Sequence, residues 1–492
     1  MRGWFLLCLL TLGLVSSRGA DPSPAIVPVP NANPRALIRQ LDQQVPSGTS
    51  RTLKSPGAKP VSNTNEPWFN WRTRPDSVDA RISRQPLSRV LPQLARATGW
   101  QVFVEPGADS LISSTFRDLP SREALGRIFS HFNYALVPGT NGKPRLLVYR
   151  TRSSGATQEV AAADDPNRID NELVVRIAPG SGYTAAELAK LTSGEVAGEL
   201  KSLGMARLRY ADADAADAAR DKLGALEGLG IEDNVRVPND DSGGVIGNPA
   251  GPAALALRPA AVSTDRLVIG LIDSAVQSLG PTYDAFLIGR EAVVPGAVPV
   301  DGLSHGTSMF GNLMKAAEMT AAGQGTANFG VLSVDVYGPN DQTTAFDVAM
   351  GIQRAVEKGA NVINMSLSSD HNAPFLHQVI RGYSDRGVLF IAAAGNEPIV
   401  SPMYPAAYPE VLAVTAGNAA GQYAPYANRG PFIDLMLPGS GVVPFGGDLW
   451  MISGTSTATA HASGIAGALW NPAMGTPAQL APILRSHFGI KP

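Results

Sequence analysis

Three short stretches carry side chains able to do nucleophilic chemistry together. In G-T-S-T-A-T-A-H-A-S-G, Gly454 to Gly464, Ser456 stands on the tight entry to a helix made almost wholly of small residues. Small side chains let such a helix run through a crowded interior, and its free N-terminal N–H groups favour negative charge. That suits a nucleophile and the oxyanion it creates. Ser456 would serve equally as the N-cap of a Gly/Ala/Ser/Thr helix packed on a sheet. In L-V-I-G-L-I-D-S-A, the apolar run Leu267 to Ile272 reads as a buried parallel strand, with Asp273 at its carboxyl end. Ligands of open α/β sheets sit at that edge. In S-H-G-T-S-M-F-G-N-L-M, His305 opens a second helix and Gly306 follows it, allowing close backbone approach. A histidine alone at such a place is more often a cap or a surface residue.

The chain order Asp273, His305, Ser456, and the context of each, resemble the subtilisin-like serine proteases. The resemblance runs from about Ser263 to Pro492 and includes A-A-A-G-N-E ending at Asn396 and Glu397, V-I-N-M-S-L-S (Val362 to Ser368), Y-P-A-A-Y-P (Tyr404 to Pro409) and D-L-M-L-P-G (Asp434 to Gly439). It implies that Ser456 attacks a peptide carbonyl, His305 moves the proton and Asp273 orients the imidazole. The Asn396 side chain and the Ser456 backbone N–H would hold the oxyanion. Substrate would add as a strand beside Asn364, Ser366, Leu367 and Ser368, with a first pocket lined by Ala393, Ala394 and Gly395 that favours an apolar side chain. Three departures from the family pattern stand out: Ala275 for the glycine after Asp-Ser, Ser368 and Ser369 for common glycines, and Ala460 for the proline four residues after the serine. None removes a chemical group. The chemistry requires no cofactor; T-A-A-G-Q-G-T-A-N-F after the His305 helix offers few carboxylates for the family's calcium loop, which leaves calcium unsupported by a clear motif.

Strands ending near Asp273, Val336, Leu367, Ala394 and Thr415 alternate with helices such as Ala345 to Lys358 and Phe375 to Arg386. That alternation predicts an α/β unit over 263–492, subtilisin-like, with a parallel sheet, helices on both faces and the triad at the sheet's carboxyl edge.

The remaining half must deliver and control that unit. A chain of 492 residues exceeds one ordinary core, and a net charge of -2 argues against a nucleic-acid partner. Residues 1–20 carry Arg2, an apolar run from Trp4 to Val15 and then small residues, a signal peptide too short to span a bilayer. The only cysteine, Cys8, lies inside it, so the exported protein holds no disulfide. Residues 21–75, rich in Pro, Asn and Ser, read as a largely disordered linker with at most a short helix near Ala36 to Gln43. Residues 76–150 predict a small α+β domain: a helix with Leu87, Val90, Leu91, Leu94 and Ala95 on one face despite Pro92, a strand Trp100 to Val104, a helix from Ser121 and a hairpin Tyr134 to Tyr149 turning at G-T-N-G. R-Q-P-L-S-R-V-L-P-Q-L-A-R-A-T-G-W-Q-V and L-P-S-R-E-A-L-G-R-I-F resemble the secretin and TonB-receptor short N-terminal domain, implying an envelope protein partner and a Gram-negative periplasm or exterior.

After a polar linker, 151–168, residues 169–240 predict a second α+β domain: strand Leu173 to Ile177, helix Ala185 to Leu200, strand Ala206 to Tyr210, helix Ala213 to Leu226 and strand Ile231 to Val237. Directly ahead of the catalytic unit, it resembles the subtilase propeptide, an inhibitor of its own enzyme; another binding module of similar shape would read the same way. Residues 241–262, within a Gly-, Pro- and Ala-rich run from Pro238 to Ala261, form a joint open to self-cleavage. The alternative to an active protease is an inactive, or solely self-cleaving, envelope scaffold on the same fold.

Overall fold

The apolar runs that show no alternation in the sequence are buried on both faces, and they form one sheet with a partly exposed strand, Leu287–Ala292, at its edge. In chain order its strands are β1 (Leu267–Asp273), β2 (Leu287–Ala292), β3 (Phe329–Asp335), β4 (Val362–Met365), β5 (Leu389–Ala393), β6 (Val411–Ala416) and β7 (Leu435–Leu437). They lie in the order β2-β3-β1-β4-β5-β6-β7, and every neighbouring pair is parallel. The computed structural model describes residues 34–42, 67–73, 76–108, 110–138, 144–161, 167–238, 243–247, 255–261, 265–296, 302–321 and 324–490. The signal reading of 1–20 and the hairpin tip G-T-N-G lie outside these.

Period two along each strand feeds two cores. Ile269, Leu271, Val362, Leu389 and Ile391 join one core with α1 (His305–Thr320) and α4 (Thr455–Leu469). Ile272, Ile363, Phe390 and Ala392 join the other with α2 (Ala345–Glu357) and α3 (Pro374–Ser384). Because side chains alternate across a strand, consecutive apolar residues serve opposite faces, which is why these runs need no polar member. The fold is the expected α/β one.

The N-terminal half departs from its sequence reading in several places. Within the supposed linker 21–75, Pro34–Asp42 is a helix with Leu37, Ile38 and Leu41 buried, and Trp68–Thr73 is a strand paired antiparallel with Asp76–Pro86. The helix matches the short one allowed near Ala36 to Gln43, though its packing on the body was not foreseen; the strand was hidden by composition. Pro92 stays inside the helix Leu87–Thr98. The linker 151–168 contains a strand, Gln158–Val160, antiparallel to Gln101–Val104.

The predicted helix from Ala185 to Leu200 stops at Leu191, and Glu195–Leu200 is instead an edge strand paired with Met205–Arg209. Ser193 adopts a left-handed φ of 59°, which ends a helix, and Gly194 packs so tightly on Tyr210 that a Cβ there would lie 2.6 Å from its ring. Two described stretches of the joint are paired, Gly243–Gly247 with Asp448–Ser453 and Arg258–Pro259 with Thr326–Ala327.

Strand Leu229–Pro238 of the second small unit continues onto the catalytic unit. The five-stranded antiparallel sheet runs Gln342–Thr344, Leu229–Pro238, Arg168–Ile177, Met205–Arg209, Glu195–Leu200, and its first member leads directly into α2.

Candidate active site

β1 ends at Asp273 because the next residues turn over the sheet edge, and α1 begins opposite with Ser304 as its cap, accepting from Thr307 N at 3.1 Å. The approach is close: a Cβ on Gly306 would lie 2.0 Å from the Ser274 carbonyl oxygen, so only glycine can follow His305 here. The result is a buried pair with His305 Nδ1 2.8 Å from Asp273 Oδ1. A carboxylate only accepts, so Nδ1 carries a proton, and in the neutral imidazole Nε2 then holds the lone pair. Ser274 N also donates to Asp273 Oδ1 at 2.7 Å, while Oδ2 has no partner among the described residues.

α4 crosses α1 with a second intimate glycine. A Cβ on Gly464 would lie 2.0 Å from the Leu313 carbonyl oxygen, so the two helices meet backbone to backbone. This brings Ser456, the second residue of α4 and 4 % exposed, to the carboxyl edge of the sheet beside Ser366, which follows β4, the neighbour of β1; Asp273 and His305 are 1 % and 4 % exposed. Ser456 is not an N-cap, since Gly454 holds that position. Its hydroxyl donates to the Ser366 carbonyl at 3.0 Å, and the Ser366 hydroxyl donates to the Ser456 carbonyl at 3.1 Å.

Asn396 follows β5 and accepts through Oδ1 from both Thr455 N (2.8 Å) and Thr455 Oγ1 (3.0 Å). These two donors settle which way the amide faces, leaving Nδ2 as its donor end. Thr455 also accepts from Gly395 N at 3.2 Å, so one hydroxyl joins the start of α4 to the end of β5. The sequence reading missed Thr455; the signal was its place directly before the serine.

Of the substrate-binding candidates, Asn364 is wholly buried and its side chain serves the interior: Nδ2 donates to Ser366 Oγ at 3.0 Å and Oδ1 accepts from Ser463 at 2.8 Å. Leu367, Ser368, Ala393, Ala394 and Gly395 are buried around the ends of β4 and β5. A Cβ on Gly395 would lie 3.1 Å from Met403 Cγ and 3.5 Å from Ser368 Oγ. Met403, not singled out by sequence, therefore crowds this wall.

Two further titratable groups sit close by. Asp335 pairs in register with Asp273, and burial pushes its carboxyl up against the lowering pull of the Gly338 and Tyr337 N–H groups, with the Asp273 charge adding to the rise. His461 in α4 is fully buried, which pushes it down to about 4; its Nδ1 donates to the Pro438 carbonyl at 2.9 Å and Nε2 has no partner among the described residues. Among the described residues no three His, Cys, Asp or Glu side chains gather as metal ligands would.

Residues 264–486 match the model of the subtilase family. Thermitase of Thermoactinomyces vulgaris is 31 % identical over 41 % of this chain and 74 % of its own. The halolysin-like extracellular serine protease Nep of Natrialba magadii is 28 % identical over 64 % of this chain and 62 % of its own, so the chain spans less than two thirds of that relative. Among solved structures, a cold-adapted subtilisin-like serine proteinase is 25 % identical, over 45 % of this chain and 81 % of the other, with a TM-score of 0.36.

Proposed function

This chain belongs to the subtilase family, and on that premise we propose that it is a serine endopeptidase made as a self-processing precursor. The observation that carries the reading is the buried Asp273–His305 pair at 2.8 Å, which fixes the imidazole tautomer with Nε2 as the base, at the end of the sheet where α4 presents Ser456. For attack, the Ser456 hydroxyl exchanges its bond to the Ser366 carbonyl for one to Nε2. The Oγ–C bond forms as the proton passes to His305; the C–N bond then breaks as that proton passes to the leaving amine. Water repeats the sequence on the acyl-enzyme. Charge on the carbonyl oxygen meets Asn396 Nδ2 and the Ser456 N–H, one of the first-turn donors that a helix leaves unpaired.

Self-processing is supported by how the small unit enters. Pro238 pairs with Gln342, and Gly243 pairs with Ile452, two residues before Gly454 at the start of α4. Only Asn239 to Ser242 join them, so the scissile bond lies between Pro238 and Gly243, a narrower window than the joint as a whole. The unit also caps two helices of the catalytic unit: Asn234 Oδ1 accepts from Phe346 N (3.2 Å) at the start of α2, and Glu232 from Phe375 N (2.8 Å) at the start of α3. Carboxylates and amide oxygens are favoured there by the helix dipoles. Residues 169–237 would remain as an inhibitor after the cut.

Export is supported by the signal-like residues 1–20; no described helix is long and apolar enough to cross a membrane. We place the enzyme in the periplasm or outside a Gram-negative cell, with the unit around 76–150 as the one that binds an envelope protein.

Intact mass after incubation tests the proposal. The native chain should separate into fragments meeting between residues 238 and 243, while Ser456→Ala stays whole; equal masses for both would overturn self-processing. A fluorophosphonate should label the native serine alone, and a chain that resists it would instead be a scaffold.

A further inference from the structure

The helix Pro34–Asp42 precedes both small units in sequence, yet it packs against α1 and against strand Ser440–Phe445 of the catalytic unit. Leu37, Ile38 and Leu41 fall on one face at helical spacing and are 3 %, 9 % and 0 % exposed, while Ala36, Arg39 and Gln40 face solvent. A nine-residue helix is too short to persist alone in water, so its order comes from the surface beneath it. Asp42 makes the same point. An acid in the last turn opposes the helix dipole, but here its Oδ2 accepts from Ala419 N at 3.2 Å, so the residue serves the contact rather than the helix.

We propose that the groove between α1 and Ser440–Phe445 is a helix-docking site, that its occupant is this chain's own residues 34–42, and that it holds the N-terminal fragment by a contact separate from the cleft. The last part rests on the self-processing reading. Once the chain is cut near residue 240, the part before the cut is still held by the inhibitor-like unit on α2 and α3 and, separately, by this helix on α1. Each contact makes the other intramolecular, so the cleft can open for substrate while the fragment remains attached and able to return. The groove lies against the helix that carries His305, and strand and helix abut there tightly enough that a Cβ on Gly441 would lie 1.8 Å from Asn312 Oδ1. Its floor is therefore formed where the Gly441 backbone meets the buried Asn312 side chain.

The test uses the full chain with Ser456→Ala, which removes hydrolysis, and a recognition sequence for a site-specific protease placed within residues 43–66. After that cut, the piece bearing residues 34–42 is held by the helix contact alone. It should co-elute with the remainder on gel filtration. With Leu37→Asp and Leu41→Asp it should leave about tenfold faster or more, as expected for losing two buried aliphatic side chains. A native piece that leaves as fast as the doubly substituted one overturns the proposal. If the double variant does not fold, hydrogen exchange on the native chain decides. Protection of 305–320 and 440–445 should fall when the piece is diluted away; unchanged protection overturns the docking. Because nothing here needs hydrolysis, a chain that docks its helix but never cuts itself would leave this site standing and remove only the self-processing reading.

Discussion

The end of the catalytic unit that carries Asp273, His305 and Ser456, the proposed triad end, and the face that receives the second small unit both bury polar groups, but they hold them differently. At the triad end, contacts are backbone to backbone and side chains are locked in series: Ser463 to Asn364, Asn364 to Ser366, and Ser366 to the carbonyl of Ser456. At the docking face the partners are long charged side chains, with Arg207 bound to Asp347 at 3.1 Å and its guanidinium 5.1 Å from the Phe346 ring centroid. Three strand-register pairs, Arg236 to Pro238 with Gln342 to Thr344, complete it. The first is set by backbone contacts within the catalytic unit; the second joins two units, through these bonds and through buried apolar side chains such as Val174, Met205, Val235 and Val237 packed with Phe346 and Phe375, and it is the one that the self-processing reading requires to part.

The sharpest way to break the first region is Gly464→Ala. The new Cβ would lie 2.0 Å from the Leu313 oxygen and 3.1 Å from Ala317 N, all backbone, so α1 and α4 must separate. A loss of about 3 kcal/mol is expected, as for overpacked cores, and because the two helices carry His305 and Ser456, turnover should fall by about 10² for a displacement near 1 Å. Thermal melting and peptide hydrolysis measure the two effects. Normal melting with normal turnover would show that this crossing does not set the site.

His461 gives the same region a pH limit. Unfolded, it takes a proton near 6.5; folded, it does so only at about 4, so the unfolded state binds more protons in between. Stability is therefore full above 6.5 and is lost as pH falls toward 4, by about 3 kcal/mol across the window. The melting temperature of His461→Gln should depend less on pH than that of the native chain between 6.5 and 4, the added amide keeping a donor near the Pro438 carbonyl. Parallel curves would assign the acid sensitivity elsewhere.

At the docking face the expected effect is smaller and of opposite sign. Burial is the main reason the Glu232 carboxyl is raised, with the Phe375 N–H and Arg176 pulling it down and Asp233 pushing it up. A group raised on docking favours the docked state below its free value and loses that support as pH rises through the docked one. The inhibitor-like unit should thus bind more tightly on acidification. Glu232→Gln keeps an oxygen for Phe375 N and removes the charge, so inhibition of the cut enzyme should strengthen severalfold near neutrality and lose part of its pH dependence. Weaker inhibition at every pH would show that the helix dipole outweighs the burial cost.

The same contrast explains what the sequence revealed. Asp273, His305, Asn396 and Ser456 sit on a fold whose strands announce themselves as unbroken apolar runs, and glycines at Gly306 and Gly464 mark the backbone contacts. The locking partners were less visible, because Thr455 and Ser463 are ordinary small helix residues until Asn396 and Asn364 face them. The docking strand Gln342–Thr344 is three residues long and gives no period. Glu195–Leu200 was lost to a helix pattern that Ser193 and Gly194 interrupt, and helix Pro34–Asp42 could not be placed because its apolar face has meaning only with α1 beneath it.

Ala460 tests how finely the proposed triad end is tuned. The family's proline at this position has no N–H for the Ser456 carbonyl four residues earlier, and its ring crowds that carbonyl and bends the first turn. Here α4 runs unbroken from Thr455 to Leu469 with alanine at 460, so the carbonyl can take the helical bond, and it also accepts from the Ser366 hydroxyl at 3.1 Å. Two donors draw Ser456 toward the helix axis and toward β4, where its own hydroxyl already rests on the Ser366 carbonyl. Ala460→Pro removes one donor and leaves the other, so the serine should shift by a fraction of an ångström without coming loose. We expect acylation by a small-peptide ester to rise severalfold in the cut enzyme, with thermal melting as the control for a helix that cannot take the bend. In the doubly substituted chain Ser366→Ala, Ala460→Pro, which lacks both donors, the position should slacken and the gain disappear. An unchanged or slower rate in an Ala460→Pro protein that melts normally would mean that Ser366 alone, and not the regular first turn, sets where the nucleophile stands.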